Sequence, residues 1–372
     1  MFYKKFYHMF LSVFSILPLI LISSLIVIDP LNILHRQCFT SKMYYGDFRF
    51  GALGVIKYAN FDSIILGSSM MENTSSNVAS NKLGGNFVNI SFGASTAFEK
   101  ASILRYALKL KKIKKVIMTI EAYYLRFKEN IYLPKMNYFS LYDSDSALKK
   151  FSTYGHNMPI LFKWIFYRST AFHSNLDCPC SWANNKDYIK TFGGFQNWVA
   201  RYYETYNVWI LYIFREIQDV YLGKKIKFPE LTGKEKKCIQ ERMYEDIVSI
   251  AINNPNTQFE IVIPPYSKLF WKVDMNYLFR DLEYAVRYLI GWSSKLNNLH
   301  IHGFDNEEFT KDIKNYKDKD HYHPKVNTIM INAIAAKTHI LTSLNIDTYF
   351  ENFKEDIASF DLKPLYEQIK DL

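Results

Sequence analysis

Cysteine is scarce in this chain, and no cysteine pattern typical of a metal or redox site is present. The four cysteines among the 372 residues are Cys38, Cys178, Cys180 and Cys238. A single residue separates Cys178 from Cys180, which is too close for the Cys-x-x-Cys pattern of zinc and thioredoxin-like sites. A disulfide is allowed if the domain is exported, and the sequence leaves its pairing open.

Long blocks of one charge are also absent, although the chain has a formal net charge of +10. It contains no arginine-rich segment, nucleic-acid-binding motif, internal repeat or low-complexity stretch. A surplus of positive charge suits an anionic polymer or a membrane surface, but scattered lysines also serve solubility. We therefore expect no nucleic-acid partner. Hydrophobic residues make up 49% of the sequence, which is enough to build a core.

Apolar residues form one long run near the amino terminus. Residues 9–28 contain no charged side chain, and about 20 apolar residues span a bilayer as a helix. Lys4 and Lys5 precede the run, so the positive-inside rule places the amino terminus in the cytoplasm and the remainder outside. We expect residues 1–29 to be an uncleaved single-pass anchor, with a cleaved signal peptide or a buried helix as alternatives. Residues 30–60 would be a linker that packs on the following domain.

Beyond the linker, short apolar runs alternate with amphipathic segments. This alternation predicts an α/β fold, a flavodoxin-like three-layer sandwich with a five-stranded parallel sheet over residues 61–345. A further amphipathic helix is expected within 346–372. The predicted strands are 61–67, 86–90, 116–120, 258–263 and 299–303. The predicted helices are 70–83, 96–111, 232–253, 274–296 and one that begins at Pro324.

One long segment, residues 122–230, interrupts the alternation and is rich in tyrosine, phenylalanine and tryptophan. We expect a mostly helical insertion that leaves the sheet at the carboxyl end of the third strand, where ligands bind in such folds. Insertions of this kind often form lids or substrate walls. Its aromatic side chains would either stack on sugar rings or form the core of the insertion. The tryptophans concerned are Trp164, Trp182, Trp198 and Trp209.

A serine pair lies at the end of the first predicted strand. Gly67-Ser68-Ser69 follows the apolar run that ends at Leu66. A serine at the carboxyl end of a strand and the start of a helix is well placed to act as a nucleophile. Serine is also a common helix cap. From this stretch alone both interpretations stay open.

A polar loop before Pro324 holds the other candidate residues. Asp318-x-x-His321 and Asp320-x-x-His323 have the same spacing, and either pair could supply a general base with its orienting carboxylate. A metal site of His321, His323 and Asp320 is an alternative, although alternate residues of an extended loop point apart. A purely structural role at the start of the helix is the third possibility.

The order of these motifs resembles that of the SGNH (GDSL-type) hydrolase superfamily. Gly67-Ser68-Ser69, then Gly93, then Asp318-x-x-His321 follow the order of its motif blocks. The chain is most similar to membrane-anchored members that modify the cell envelope, those of teichoic-acid D-alanylation and alginate O-acetylation. The resemblance covers most of residues 25–340 and includes Asp29-Pro30, Gly67 to Asn73, Pro264-Pro265-Tyr266-Ser267 and Tyr316 to Tyr322.

The resemblance assigns a role to each matching residue. It implies that Ser69 is the nucleophile, His321 the general base and Asp318 the partner of that base. The backbone N–H groups of Ser69 and Gly93 would stabilise the oxyanion. The resemblance implies neither a metal nor a cofactor.

The chain departs from the family pattern in the side-chain donor of the oxyanion hole. The Gly-x-Asn block that follows the third strand in the family has no counterpart, because the chain reads Thr119-Ile120-Glu121 there. Asn73 is a candidate replacement, since it follows Ser69 by four residues and so by one turn of the predicted helix. A packing role for Asn73 is the alternative. Ser68 stands where the commonest family motif has aspartate.

The resemblance implies a membrane-tethered serine acyltransferase or esterase in the bacterial inner membrane, with its domain on the extracytoplasmic side. Its substrate would be the acyl groups, in particular O-acetyl groups, of a cell-surface polysaccharide. A membrane-bound O-acyltransferase partner would export the acyl group. The alternative is a catalytically inactive scaffold of the same fold, which binds glycan or assembles envelope-polysaccharide machinery. The missing Gly-x-Asn block favours that alternative.

Overall fold

A computed structural model of the chain describes residues 2–36, 43–126, 140–143, 146, 158–167, 172–173, 175–178, 181–223, 230–274 and 278–372. The chain divides into two compact units. The first unit consists of Met1–Ala59 and Lys135–Asn175, and the second consists of Asn60–Pro134 and Leu176–Leu372.

Both units contain strands and helices. The described strands are β1 (Tyr44–Tyr45), β2 (Ser63–Leu66), β3 (Phe87–Asn89), β4 (Lys115–Thr119), β5 (Phe172–His173), β6 (Gln258–Ile263) and β7 (Leu299–Gly303). The described α-helices are α1 (Phe2–Ile28), α2 (Phe48–Tyr58), α3 (Ser76–Leu83), α4 (Ala97–Leu110), α5 (Ser140–Asp143), α6 (Met158–Phe166), α7 (Lys186–Ile189), α8 (Phe195–Thr205), α9 (Val208–Tyr221), α10 (Gly233–Met243), α11 (Ser249–Asn253), α12 (Lys268–Asp274), α13 (Leu278–Ser293), α14 (Pro324–Ala335), α15 (Ile346–Ser359) and α16 (Lys363–Tyr366). A π-helical turn, Tyr244–Val248, joins α10 to α11.

The first unit begins with the long helix α1 and contains a small antiparallel pair of strands, β1 and β5. Asp29 turns the chain at the end of α1, because its carboxylate accepts the backbone N–H groups of Ile33 and Leu34 at 3.0 and 2.7 Å. In the described part of the chain, no helix is both long enough and apolar enough to cross a membrane. The membrane anchor predicted for residues 1–29 is therefore unsupported, although the segment is helical.

The second unit is built on a five-stranded sheet in which every pair of neighbouring strands is parallel. The strand order is β3-β2-β4-β6-β7. Counted within this sheet alone, that is the order 2-1-3-4-5 of flavodoxin-like folds. The prediction of an α/β fold with a five-stranded parallel sheet is confirmed.

Apolar side chains explain why these segments form the centre of the sheet. Ile64, Ile65 and Leu66 in β2 are fully buried, as are Val116 and Ile117 in β4. Strands of a parallel sheet that helices cover on both faces are expected to be such apolar runs. Helix α3 packs against α14, whereas α4, α10 and α13 form a second set of contacting helices. Right-handed crossovers place these two sets on opposite faces, because the chain leaves β2 and β4 in opposite directions.

The helix after the first strand of this sheet begins later than predicted. The sequence predicts a helix over 70–83, but α3 begins only at Ser76. Ser75 caps it by accepting the backbone N–H of Val78 at 3.1 Å. The preceding turns are held by Asn89, whose side-chain amide donates to the carbonyl of Met71 at 2.8 Å. Ser69 therefore does not lie at a helix N-terminus, and Asn73 is not one helical turn beyond it.

The tryptophans of the predicted insertion do not share one environment. Trp164 and Trp198 are buried, as the core interpretation expects. Trp209 is 77% exposed on α9, and Trp182 is only partly buried. The core interpretation is thus confirmed for Trp164 and Trp198 and does not hold for Trp209, and stacking on sugar rings stays a prediction.

Candidate active site at the carboxyl end of the sheet

The candidate site lies where the chain changes direction in the sheet. Strands β2 and β4 are neighbours, but the chain proceeds from β2 to one edge of the sheet and from β4 to the other. In open α/β sheets this switch point forms a crevice at the carboxyl ends of the strands, where ligands bind. Ser69 follows β2 and Glu121 follows β4.

The structure brings Ser69, His321 and Asp318 together. Ser69 Oγ lies 2.9 Å from His321 Nε2. On the other side of the ring, His321 Nδ1 lies 2.9 and 3.0 Å from the two carboxylate oxygens of Asp318. A proton on Nδ1 satisfies the carboxylate and leaves Nε2 free to accept the serine proton. This is the arrangement that a nucleophile, its base and the orienting carboxylate require.

Asp318 is held in its charged form by several donors. Its Oδ1 accepts the backbone N–H groups of Asp320 and His321 at 3.0 and 2.8 Å. Lys317 Nζ lies 2.5 Å from its Oδ2. Burial alone would raise the pKa of Asp318, but the charges and hydrogen bonds of His321 and Lys317 hold that pKa well below its ordinary value. The carboxylate can therefore stabilise an imidazolium on His321.

The turn that carries Ser69 is fixed around Gly67. A side chain at position 67 would collide with Met71, so only glycine fits there. The N–H of Gly67 donates to Ser91 Oγ at 2.9 Å. Ser68 is 3% exposed and its hydroxyl accepts the backbone N–H of Met70 at 3.3 Å. Ser68 thus serves the turn, and Ser69 presents its hydroxyl to His321.

The loop that carries His321 is anchored to distant segments. Tyr316 is fully buried, and its hydroxyl donates to the carbonyl of Pro265 at 2.8 Å. The hydroxyl of Ser267 donates to the carbonyl of Lys319 at 2.6 Å. The indole N–H of Trp198 donates to the carbonyl of Tyr316 at 3.3 Å. The Pro264–Ser267 segment after β6 and helix α8 therefore both hold the loop in place.

Trp182 forms part of the site in a way that sequence reasoning missed. Its indole N–H donates to the carbonyl of Ser69 at 2.8 Å. Its ring meets the ring of His321 edge to face, with the centroids 5.7 Å apart. Lys317 Nζ lies 5.0 Å from the centroid of Trp182, a cation–π distance. The only signal in the sequence was that the residue belongs to an aromatic segment.

Sequence reasoning also missed a buried ion pair next to the turn that carries Ser69. Lys100 is fully buried, and its Nζ donates to the carbonyl of Thr119 at 2.7 Å and to the carboxylate of Glu121. Glu121 in turn accepts the backbone N–H of Ser68 at 3.3 Å. Burial lowers the pKa of Lys100, and the charge of Glu121 opposes this change. Glu121 occupies the place of the expected Gly-x-Asn block. Through its hydrogen bond to Ser68 it stabilises the turn that carries Ser69.

Asn73 has a defined orientation near the site. Its Oδ1 accepts the hydroxyl of Ser181 at 2.8 Å and the backbone N–H of Ala183 at 3.2 Å. These two donors identify the oxygen, so the other end of the amide is the nitrogen. Within the described residues, this buried Nδ2 has no hydrogen-bond partner. The Nδ2 group of Asn73 can therefore donate to a further acceptor. It lies near Ser181, the residue that precedes Trp182 in the chain.

Gly93, the second predicted oxyanion donor, has an acidic neighbour. A carboxylate oxygen of Glu72 lies 3.5 Å from the position that a Cβ on Gly93 would take. A carboxylate beside the backbone of Gly93 opposes a developing negative charge there to the extent that its own partners leave its charge uncompensated.

The alternative pair, His323 and Asp320, has other partners. His323 caps α14, since its Nδ1 accepts the backbone N–H of Lys325 at 3.1 Å. Its ring packs on Phe192, with the centroids 4.9 Å apart, and burial lowers its pKa. Asp320 accepts the hydroxyl of Tyr123 at 3.3 Å. The two pairs of equal spacing are thus placed in different surroundings.

The structure also bears on metals and cysteines. Over the described ranges, no group of three or more His, Cys, Asp or Glu side chains is placed to hold a metal ion.

Cys178 and Cys238 are free thiols. Burial raises the pKa of Cys178 to about 12, so it is not a reactive thiolate. Cys38 and Cys180 lie outside the described residues.

Comparisons with known proteins add no family to this picture. No protein-family model matches the chain, and no curated protein matches it. The structure by itself defines an α/β protein with a five-stranded parallel sheet and a serine–histidine–aspartate arrangement at the carboxyl end of that sheet.

Proposed function

We propose that this protein is a serine acyltransferase or esterase of the SGNH hydrolase type, acting on O-acetyl groups of a cell-surface polysaccharide. The observation that carries the proposal is the contact of Ser69 Oγ with His321 Nε2 at 2.9 Å, with Asp318 on the far side of the ring. These side chains come from segments 252 residues apart in the chain. A hydrogen-bonded serine, base and carboxylate are the parts that acyl transfer requires.

The reaction follows from the order of these contacts. As Ser69 Oγ attacks the ester carbonyl, its proton passes to His321 Nε2. The tetrahedral intermediate collapses, its C–O bond to the leaving alcohol breaks, and that alcohol takes the proton from His321. A glycan hydroxyl or water then gives its proton to His321 and attacks the acyl-serine. The ester bond to Ser69 breaks, and the serine recovers its proton. Asp318 remains ionised throughout and stabilises the imidazolium.

We assign stabilisation of the oxyanion to three donors, namely the backbone N–H groups of Ser69 and Gly93 and Nδ2 of Asn73. The support for Asn73 is that its oxygen is engaged by Ser181 and Ala183 while its buried nitrogen has no partner within the described residues. Each preorganised donor of this kind contributes about 10²–10³ in kcat. Asn73 would replace the asparagine of the absent Gly-x-Asn block.

The polysaccharide substrate is proposed from the chemistry of the protein surface. Its support is the exposed aromatic surface of α8, α9 and the turn between them, on which Tyr203, Tyr206 and Trp209 are 56%, 73% and 77% exposed. The formal charge of +10 suits an acidic polymer. An extracytoplasmic, membrane-tethered location and a membrane-bound O-acyltransferase that supplies the acyl group are parts of the same proposal, and both rest on the sequence resemblance.

A second candidate function is a non-catalytic scaffold that binds or assembles envelope polysaccharide. The observation in its favour is the carboxylate of Glu72 beside Gly93, together with Glu121 in place of the Gly-x-Asn block. In this case Ser69, His321 and Asp318 would be a structural network.

Hydrolysis of an aryl acetate by the full chain separates these functions. We expect slow turnover that Ser69→Ala and His321→Ala abolish, whereas Ser68→Ala, the matched control in the same turn, retains it. No turnover by the parent, or equal turnover by Ser69→Ala and the parent, would contradict the enzyme and favour the scaffold. Turnover that a chelator removes but Ser69→Ala retains would indicate a metal-dependent hydrolase.

A further inference from the structure

One face of strands β6 and β7 carries a group of polar side chains that the proposed function does not use. Glu260 in β6 is paired with His300 in β7, and His302 lies two residues further along β7. Alternate residues of a strand point to the same face, so these three side chains share one face of the sheet. Buried strands of a parallel sheet are normally apolar on both faces. Polar residues at these positions therefore indicate a role other than packing.

These side chains line a cavity of about 320 Å³ on the face covered by α3 and α14. Lys115, the first residue of β4, is part of the same wall. Lys82 near the end of α3 and Lys337 just beyond α14 also line the cavity. Ser69 follows the carboxyl end of β2, so this cavity and the candidate active site lie toward opposite ends of the sheet. A volume of this size lies at the lower end of the range for small-molecule sites.

The acidic group in the cavity already has two hydrogen-bond partners. Glu260 is 9% exposed, and its Oε2 lies 2.8 Å from His302 Nε2 and 3.2 Å from His300 Nδ1. Burial would raise the pKa of Glu260, but its hydrogen bonds to the two histidines hold that pKa at about 2. The two histidines therefore engage Oε2 of Glu260, the carboxylate of the cavity wall, as hydrogen-bond partners.

The lysines, in contrast, retain donor capacity. Lys115 Nζ donates to the carbonyl of Leu83, which uses one of its three N–H bonds. Lys82 and Lys337 are exposed at the rim. Neither has an ion-pair partner among the residues that the structure describes. The cavity thus combines three ammonium groups with a carboxylate that is already paired.

We propose that this cavity is a second binding site, one that takes a small, multiply charged oxyanion such as the phosphate or carboxylate groups of a metabolite. Lys82, Lys115 and Lys337 would bind the charged oxygens, and the edge formed by Glu260 and His300 would contact a polar body. The site is independent of the acyl-transfer proposal, because none of its residues belongs to the serine–histidine–aspartate arrangement.

Isothermal titration calorimetry of the full chain tests the site with three probes, namely inorganic phosphate, pyrophosphate and citrate, at constant ionic strength set with potassium chloride. We expect saturable binding of at least one probe. The double variant Lys82→Gln/Lys337→Gln should weaken it by about tenfold or more, because two of three positive charges are lost. Lys234→Gln/Lys363→Gln, which removes two exposed lysines outside the cavity, should bind as the parent does.

The choice of probe identifies the source of the oxyanion. Binding of pyrophosphate without citrate assigns a phosphate ligand, and binding of citrate alone assigns a carboxylate ligand. Absence of saturable binding for all three probes, or equal affinity in the parent and in Lys82→Gln/Lys337→Gln, would overturn the proposal. The substituted lysines are exposed, so both double variants should fold as the parent does.

Discussion

His321 and His323 lie two residues apart in one loop, and each follows an aspartate by three residues, yet they have different surroundings. His321 lies between Ser69 Oγ and the carboxylate of Asp318. His323 caps helix α14 and packs on Phe192. Local spacing is the same for both, so the difference comes from the segments that meet the loop in the folded chain. Whether a histidine–aspartate pair can act as a general base therefore depends on which group lies beside the ring nitrogen that the aspartate does not contact.

The largest effect should come from replacing each histidine in turn. His321→Ala should lower kcat/KM for an aryl acetate by about 10⁴-fold or more, because the serine loses its base. His323→Ala should leave kcat/KM within a few-fold of the parent and lower the free energy of unfolding by about 1 kcal/mol, the usual cost of losing a helix cap. Ester hydrolysis and thermal unfolding of both variants measure this. Equal losses of activity would remove the distinction between the two histidines.

The two aspartates should differ almost as strongly. Asp318→Asn should lower kcat by about 10⁴-fold, since an amide favours the wrong tautomer of the base. Asp320→Asn should retain most of the activity, because the contact of Asp320 with Tyr123 Oη lies outside the triad. The pH–rate profiles of both variants provide the measurement. A larger loss in Asp320→Asn than in Asp318→Asn would favour the other pair.

A third prediction concerns the oxyanion donors. Asn73→Ala should lower kcat by about 10²–10³-fold with little change in KM, as loss of one preorganised donor does. Ser181→Ala, which removes only one partner of the Asn73 oxygen, is the matched control and should cost far less activity. Separate determination of kcat and KM for both variants tests whether Asn73 is an oxyanion donor. An unchanged kcat in Asn73→Ala would leave the oxyanion hole with backbone donors only.

The smallest effect concerns stability in acid. The pKa of Asp318 is depressed in the folded chain, whereas the pKa of an aspartate in an unfolded chain is about 3.9. Its contribution to stability is therefore complete above about pH 4 and is lost as the pH falls through the folded pKa. Urea unfolding should show a smaller loss of stability between neutral and acidic pH in Asp318→Asn than in the parent. An identical loss in both would contradict the assigned role of Lys317 and His321 in holding the carboxylate charged.

Local patterns predicted the five strands of the parallel sheet to within two residues at each end, because strand formation depends largely on short-range information. Strands β6 and β7 have the predicted bounds, because β6 is rich in β-branched and aromatic residues and is followed by turn residues, and because apolar and polar residues alternate in β7. Ser69, Asp318 and His321 were found from the order of their motifs. The late start of α3 at Ser76 depends on the side chain of Asn89, which the pattern around Ser69 does not contain.

Sequence reasoning missed the residues whose roles depend on contacts with residues far away in the chain. Trp182 contacts Ser69 across 113 residues, and no periodicity distinguishes it from the buried Trp198. Lys100 lies on a helix that shows an ordinary amphipathic pattern, and only folding places its ammonium group beside Glu121. Such contacts arise from packing of segments far apart in the chain.

The most direct test of the proposed chemistry is covalent labelling of the full chain with a fluorophosphonate, followed by peptide mapping by mass spectrometry. A serine with a hydrogen-bonded base is the group that such a reagent phosphonylates. We expect one adduct, on Ser69, that is absent from His321→Ala and present in His323→Ala. Absence of an adduct on Ser69, or labelling that His321→Ala leaves unchanged, would contradict the assignment of Ser69 as a nucleophile activated by His321.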